Sequence, residues 1–430
     1  MGDMKKDSKF IKMLKNIGPG IVSGSADDDP SGIATYSQSG AQFGFGQLWT
    51  ALYMLPFLIA VQEACGRVGA VTGHGLSYAV KKHFSRKVLM FMIVAVLIAN
   101  TINIGADIGA MAASLQLVTP FGFTPLAITM TLFILLLEIF TSYRVYSKIL
   151  KWLALSLLAY PLTLFIINAP WSTILPATLT PHIEFNLPFL FLISGILGTT
   201  ISPYVFFWQA SEEVEEVRSQ KLMKYGIPHL TARFVRNIRF DTIFGMIFAE
   251  LGTWSIIIVA ATVLHTHGIT DITSAADAAA ALEPLVAGFP SAGYLAKLIF
   301  TIGVVGLGLL AIPVLAGSAA YALSEALGFR DGLNLKFKQA HGFYITMAIA
   351  TLLGLLINYI GINPIKALVY AGVLNGFVAV PLIYLIGKIS SDQKIMGKYK
   401  SNLISKTLIW ITFLGMASAA LGTIYMLFIA

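Results

Sequence analysis

The sequence predicts an all-α polytopic membrane protein. Three observations carry this. Of 430 residues, 57% are hydrophobic and only 12% are charged, where a soluble protein is about a quarter charged. The apolar residues fall in long blocks such as VLMFMIVAVLIA (88–99), LAITMTLFILLLEIF (126–140) and TWSIIIVAATVL (253–264), and runs near ~20 residues read as membrane-spanning helices. The basic residues, in turn, gather in alternate loops.

Eleven spans are expected, near 18–43, 47–66, 88–116, 123–142, 149–168, 187–217, 240–264, 292–325, 343–360, 363–387 and 407–429. The sixth and eighth exceed one crossing, which implies tilt, a break or an extension beyond the bilayer. With these spans, every Lys and Arg except Lys297 and Lys366 falls on one side. That side is cytoplasmic by the positive-inside rule, which places the N-terminus inside and the C-terminus outside. The net charge of +8 then reflects basic loops, and no nucleic-acid partner is implied. Cys65 is the only cysteine, so no intramolecular disulfide forms. The apolar stretch at 17–26 is short and runs into aspartates, so no cleavable signal peptide is read. The expected organisation is a tail (1–17) and one transmembrane domain (18–429).

Span one is interrupted by DDDPSG (27–32), and span six by GTTISPY (198–204). If spans one to five and six to ten are two repeats, about 18–168 and 187–387, each break lies in the first helix of its half. The odd number of spans per repeat makes the repeats inverted, and 407–429 is an additional helix. Paired interrupted helices at matching places point to a transporter's midplane site. Unwinding frees backbone groups, which a membrane tolerates only beside a cavity or within protein. Each charge facing lipid at mid-depth costs about 2.5–3.5 kcal/mol, so Asp27, Asp28 and Asp29 must meet water, partners or a cation.

The donors at the two breaks are all oxygen: Asp27, Asp28, Asp29, Ser31, Thr199, Ser202 and Tyr204, with freed carbonyls. No Cys, Met or His lies at either break. Such a set suits Mg²⁺, Ca²⁺ and Mn²⁺ and disfavours thiophilic ions. Mg²⁺ ranks first because it is usually held by one or two carboxylates with several waters retained; Mn²⁺ follows, then Ca²⁺. Asn375 in span ten is a further candidate amide oxygen. Asn100, Asn103, Asp107 and Ser114 form a polar face of span three that either lines an aqueous path or bonds neighbouring helices. Gln209, Glu213 and Glu216 share a face below the second break, as a cation exit or a solvated helix end. Glu63 and Arg67 read as a structural i, i+4 pair. His265 and His267 are a weak metal signal, and Gly303, Gly306 and Gly308 suggest close packing in span eight. Glu138, Glu250 and Glu325 receive no role. No HExxH, GxSxG or P-loop pattern is present, so the chain is not read as an enzyme.

The stretches GPGIVSGSADDDPSGIATYSQSGAQFG, QEACGRVGAVTG (62–73), GADIGAMAASLQL (105–117) and GTTISPY resemble, in order and spacing, the Nramp divalent metal transporters of LeuT-type fold. The likeness is greatest to their Nramp-related magnesium transporter branch. The resemblance implies that Asp29 is the metal-binding aspartate. Gly32 stands where typical members carry an asparagine ligand, and Ser202 where they carry methionine. Tyr204 replaces the histidine after the proline, and Gln209 stands at a second histidine position. Asp107 keeps the third helix's aspartate, while Ala110 replaces its glutamate. The family's proton route is thus largely dismantled.

The expectation is therefore uptake of Mg²⁺, and also Mn²⁺, by alternating access at a midplane site without proton coupling. The metal set is Asp29, Asp28, Asp27, Ser31, Gly32, Thr199, Ser202, Tyr204, Gln209 and Asn375, with Asn103, Asp107, Glu213 and Glu216 along the pathway. The ion is substrate, no cofactor is expected, lipid is the surrounding partner, and no obligatory protein partner is implied. The expected location is a prokaryotic inner membrane. The alternatives are a proton-coupled Mn²⁺/Fe²⁺ Nramp-type transporter, a LeuT-type sodium-coupled carrier of an organic solute, a channel, and a membrane metalloenzyme.

Overall fold

The computed structural model describes Gly24 and residues 29–140 and 158–429. Asp27, Asp28 and most of the fifth expected span lie outside these residues. The major helices are α1 (Pro30–Phe43), α2 (Trp49–Thr72), α3 (Arg86–Leu115), α4 (Phe123–Phe140), α5 (Leu187–Thr200) and α6 (Pro203–Ser219). They continue with α7 (Ala232–Val263), α8 (Ala292–Leu327), α9 (His341–Ile357), α10 (Pro364–Ser391) and α11 (Leu403–Ile429). Eight stretches among the described residues are long and apolar enough to cross a membrane, with α5 and α6 together forming one of them. The 17 residues of α9 form a shorter apolar helix.

The two long spans resolve differently. The sixth is broken between α5 and α6, as its Ser-Pro step predicts. The eighth is one continuous helix of 36 residues despite Pro313 inside it. At 1.5 Å per residue it is roughly 54 Å long, well beyond a hydrocarbon core of ~30 Å.

Polarity is arranged inside out. Phe91, Ile98, Leu136 and Leu356 are 62%, 52%, 56% and 60% exposed, whereas Asp29, Asn103, Asp107 and Asn375 are buried. Water would favour the opposite arrangement; lipid favours this one.

Both interruptions end in the same local chemistry. Asp29 and Ser202 have extended backbones (φ −73°, ψ 174° and φ −79°, ψ 131°), and each is followed by a proline at the first helical position. Proline forces its predecessor out of the helical region and starts a helix without wasting a donor. Asp29 also caps α1 through its side chain, whereas Ser202 makes no such cap to α6.

Packing around the breaks depends on missing side chains. α5 lies against α10, and α1 touches both. A Cβ on Gly198 would sit 2.0 Å from the Gly372 carbonyl oxygen, and one on Gly376 would sit 2.5 Å from that of Ser194. Gly308 of α8 meets the side chain of Met111 on α3. Small residues let membrane helices approach closely where no hydrophobic force drives them together.

Candidate functional site

The N-terminus of α1 brings Asp29 to the middle of the bundle. One carboxylate oxygen, Oδ1, is occupied by its own turn: Ser31 Oγ donates at 2.5 Å and the Gly32 N–H at 2.9 Å. The other, Oδ2, faces the neighbouring helices. Asn103 Nδ2 on α3 donates to it at 2.7 Å, and Tyr204 OH on α6 at 3.4 Å. Asn375 Nδ2 on α10 donates to Asn103 Oδ1 at 3.3 Å. Residues from both breaks and from α3 therefore converge on one carboxylate, and α10 joins through Asn103. Asp107, one turn from Asn103, is buried in electrostatic contact with Asp29.

Gly32 presents its N–H, a donor, to Asp29. The space its side chain would fill is taken by Tyr36, whose Cε2 would lie 3.1 Å from an added Cβ. Tyr36 OH in turn lies 3.0 Å from Thr200 Oγ1, and Thr199 Oγ1 donates to it at 3.3 Å. A phenol thus joins α1 to the end of α5, a link that sequence reading missed.

Ser202 Oγ donates to the carbonyls of Thr199 (2.6 Å) and Gly198 (3.0 Å). Unwinding a helix leaves its last carbonyls without partners, and Ser202 satisfies two of them. This hydroxyl closes the broken helix end with its one proton and keeps its own lone pairs. Thr199 Oγ1 also bonds the carbonyls of Gly195 and Ile196, at 3.1 Å each.

Gln209 lies further along α6. It donates to Glu213 Oε1 at 3.1 Å, and both lie against Gly66 of α2. Five residues beyond Tyr204 places it roughly 7.5 Å further along the axis, so helical rise separates it from the proposed ligands. Glu213 is buried there. Glu216 is half-buried at the end of α6 and accepts from Ser219 and Gln220, at 3.2 and 2.7 Å, the solvated-end reading. Sequence reasoning missed Glu215, which accepts from Tyr321 OH (2.6 Å) and Leu333 N (2.8 Å), and also from Asn334.

The polar face of α3 divides between its two expected roles. Asn103 and Asp107 turn to the site, while Asn100 Nδ2 bonds the Leu315 carbonyl of α8 at 2.9 Å. Glu63 and Arg67 pair at 2.9 Å, with Arg239 joining at 3.2 Å. The ring nitrogens of His265 and His267 meet the carbonyls of Ala41 and Val263. Among the described residues no group of three or more His, Cys, Asp or Glu side chains is gathered to hold a metal.

A buried carboxylate at paired helix interruptions, inside an apolar-surfaced bundle, defines a membrane transporter of LeuT-type fold. The family pattern described as "Natural resistance-associated macrophage protein-like" matches residues 20–426. The chain belongs to this Nramp family, whose members are metal-ion transporters and not enzymes. It is 27% identical over 391 residues to the divalent metal cation transporter MntH of Caldanaerobacter subterraneus subsp. tengcongensis, covering 90% of this chain and 87% of that one. It is 26% identical over 417 residues to the MntH of Klebsiella pneumoniae subsp. pneumoniae, covering 95% and 92%. The fold is similar to the crystal structure of the Eremococcus coleocola manganese transporter in complex with an aromatic bis-isothiourea compound. That likeness has TM-score 0.75 at 16% identity and covers 97% of this chain and 88% of that one. A more distant likeness, TM-score 0.57 at 12% identity, is to a nucleobase-cation-symport-1 family transporter.

Proposed function

We propose that this protein takes up divalent metal cations, Mg²⁺ foremost and Mn²⁺ second, by alternating access around Asp29, without coupled proton movement. The observation that carries the reading is the oxygen chemistry at Asp29: its carboxylate is bonded by the hydroxyls of Ser31 and Tyr204, beside N–H groups of Gly32 and Asn103, and by no thioether or imidazole among the described residues. The family and its MntH relatives support divalent cations as the substrate class. Hard oxygens favour ions that keep water. Tyr204 and Gln209, standing where the resemblance places histidines, offer no side chain that titrates near neutrality.

The energetics need no proton. One elementary charge crossing 100 mV gains about 2.3 kcal/mol, so a divalent cation gains about 4.6 kcal/mol, equivalent to more than a thousandfold concentration gradient. In this reading the chain crosses a bacterial inner membrane eleven times with its Lys/Arg-rich face and N-terminus inside.

The test is flux into proteoliposomes that contain a pH dye, under an imposed potential, with Mg²⁺, Mn²⁺, Ca²⁺ and Cd²⁺ compared. The expected result is saturable Mg²⁺ and Mn²⁺ entry without internal acidification, weak Cd²⁺ entry, and loss of all of it in Asp29→Ala. Strong Cd²⁺ entry with acidification would establish the proton-coupled Mn²⁺/Fe²⁺ mode instead. Absence of flux for every divalent ion would remove the reading.

A further inference from the structure

Four cations crowd the seven residues that lead into α3: Lys81, Lys82, Arg86 and Lys87 in KKHFSRK (81–87). All four are exposed. Lys81 and Lys82 close the short helix Leu76–His83, where positive charge suits the helix dipole. Arg86 and Lys87 open α3, where the dipole opposes it. Among the described residues no carboxylate forms an ion pair with any of the four. The short helix is fixed in place: Lys81 Nζ donates to the Ala326 carbonyl of α8 at 2.8 Å, and the N–H groups of Gly75 and Tyr78 donate to Glu325 of α8. The cluster is therefore mounted on rigid elements, and neither the helix dipole nor pairing accounts for Arg86 and Lys87.

Beside these charges α3 turns an apolar stripe outward. Lys87, Phe91, Val94 and Ile98 follow one another at i, i+4, i+7 and i+11, on one face of the helix, and all four are exposed. Higher up the stripe ends, and every residue from Asn103 to Ala112 is buried. There α9 lies across α3: a Cβ added to Gly105 would sit 2.7 Å from the Gly354 carbonyl, and one on Gly109 would meet the Asn358 side chain. From Lys87 to Ile98 the helix rises about 16 Å, half of a hydrocarbon core of ~30 Å. The exposed stripe is one leaflet deep, with cations at its foot.

We propose that this face of α3 binds an anionic phospholipid of the leaflet on the Lys/Arg-rich side, with its phosphate among Lys82, Arg86 and Lys87 and an acyl chain along Phe91, Val94 and Ile98. Clustered basic side chains next to a membrane span attract anionic headgroups. A zwitterionic lipid would cover the stripe but leave the cations uncompensated. A soluble phosphate would meet the cations but leave the stripe bare. Only an anionic lipid satisfies both. This surface is separate from the Asp29 site and from the identity of the transported ion.

The test uses the full-length purified protein and native mass spectrometry of the first lipid bound. Phosphatidylglycerol and phosphatidylcholine with the same acyl chains are compared. Wild type is expected to prefer phosphatidylglycerol roughly tenfold or more. The triple change Lys82→Gln, Arg86→Gln, Lys87→Gln is expected to remove most of that preference. The same charge removed at Lys394, Lys398 and Lys400, which are also exposed, is expected to alter it less than about twofold. Excess glycerol phosphate, a headgroup without chains, is expected not to displace the lipid. An unchanged preference in the first triple variant, or an equal loss in both, would overturn the proposal. Displacement by glycerol phosphate would also overturn it, in favour of a soluble phosphate. If the first triple variant does not elute as folded protein, wild type is reconstituted with phosphatidylglycerol carrying a photoreactive group at the end of an acyl chain. Cross-links on α3 around Ile98 are then expected, and cross-links confined to other helices would overturn the assignment.

Discussion

Asn103 Nδ2 donates to Asp29 Oδ2 across 2.7 Å and thereby ties α3 to the start of α1. A hydrogen bond to a charged group is worth about 1.5–3 kcal/mol. Asn103→Leu is expected to lower stability by that amount without ions. The amide occupies a lone pair that a cation can also take, so millimolar Mg²⁺ is expected to recover part of the loss. Thermal melts with and without Mg²⁺ check this, and equal losses in both conditions would contradict it.

Tyr36 fills the space beside Gly32. Placing asparagine at this position, as typical Nramp proteins have it, is expected to push the phenol away from Thr200 and lower Mg²⁺ flux several-fold. The double change Gly32→Asn with Tyr36→Ala removes the obstruction and is expected to recover part of the flux. A single Gly32→Asn variant as fast as wild type would refute the packing argument.

Gly198 and Gly397 separate close approach from backbone freedom. Gly198→Ala drives a Cβ to 2.0 Å from the Gly372 carbonyl, beyond the usual overpacking cost of ~1–3 kcal/mol. Folded yield is expected to collapse. Gly397 has φ +54° and nothing within 4 Å of an added Cβ. Gly397→Ala therefore meets no neighbour but puts an L residue at φ +54°, ψ −129°, outside the left-handed helical well and in backbone space that glycine enters freely, so a fall in melting temperature from backbone strain alone is expected, worth about 1–3 kcal/mol.

Glu215 holds Tyr321 of α8 and the backbone at Leu333 to α6. Glu215→Ala leaves the Tyr321 hydroxyl without its acceptor, at about 1–3 kcal/mol, and leaves the Leu333 N–H only its longer bond to Tyr321 OH at 3.2 Å. Hydrogen exchange at residues 321–335 is expected to accelerate accordingly, while Gly198 and its neighbours keep their protection. Uniform acceleration across the bundle would mean that Glu215 supports the fold as a whole.

His74 follows α2 and stacks on Tyr78, with ring centroids 3.8 Å apart. Burial, and then Arg218 and Lys82, lower its pKa below the usual 6.5. The unfolded chain therefore binds this proton first as the pH drops, so the contribution of neutral His74 is present above ~6.5 and lost as acid is added. His74→Phe keeps the stacking and is expected to flatten the fall in melting temperature between about pH 7 and 5.

The interruptions were legible because local chemistry causes them: a residue before proline must leave the helix wherever it sits. Asp29 was legible for a related reason, since a charge beside such a break has few affordable surroundings. Period-3.6 spacing gave the polar face of α3, but not the division that sends Asn103 to Asp29 and Asn100 to Leu315. Glu215 and Glu216 are neighbours in sequence, and only the rotation of α6 against α8 decides which is buried. Glu325 received no role because its partners are far off in the chain: its carboxylate accepts from the N–H groups of Gly75 and Tyr78, at the start of the short helix Leu76–His83. Glu138 lies beside Thr351 of α9, a pairing that no spacing rule reveals.

Tyr36 OH sits between two neighbouring hydroxyls, those of Thr199 and Thr200. All three groups are neutral and each both donates and accepts. The phenol is held by both threonines at once, and Thr199 is in turn anchored to the carbonyls of Gly195 and Ile196. One ring on α1 is thus clasped by the last turn of α5, which fastens the two interrupted helices to each other beside the site.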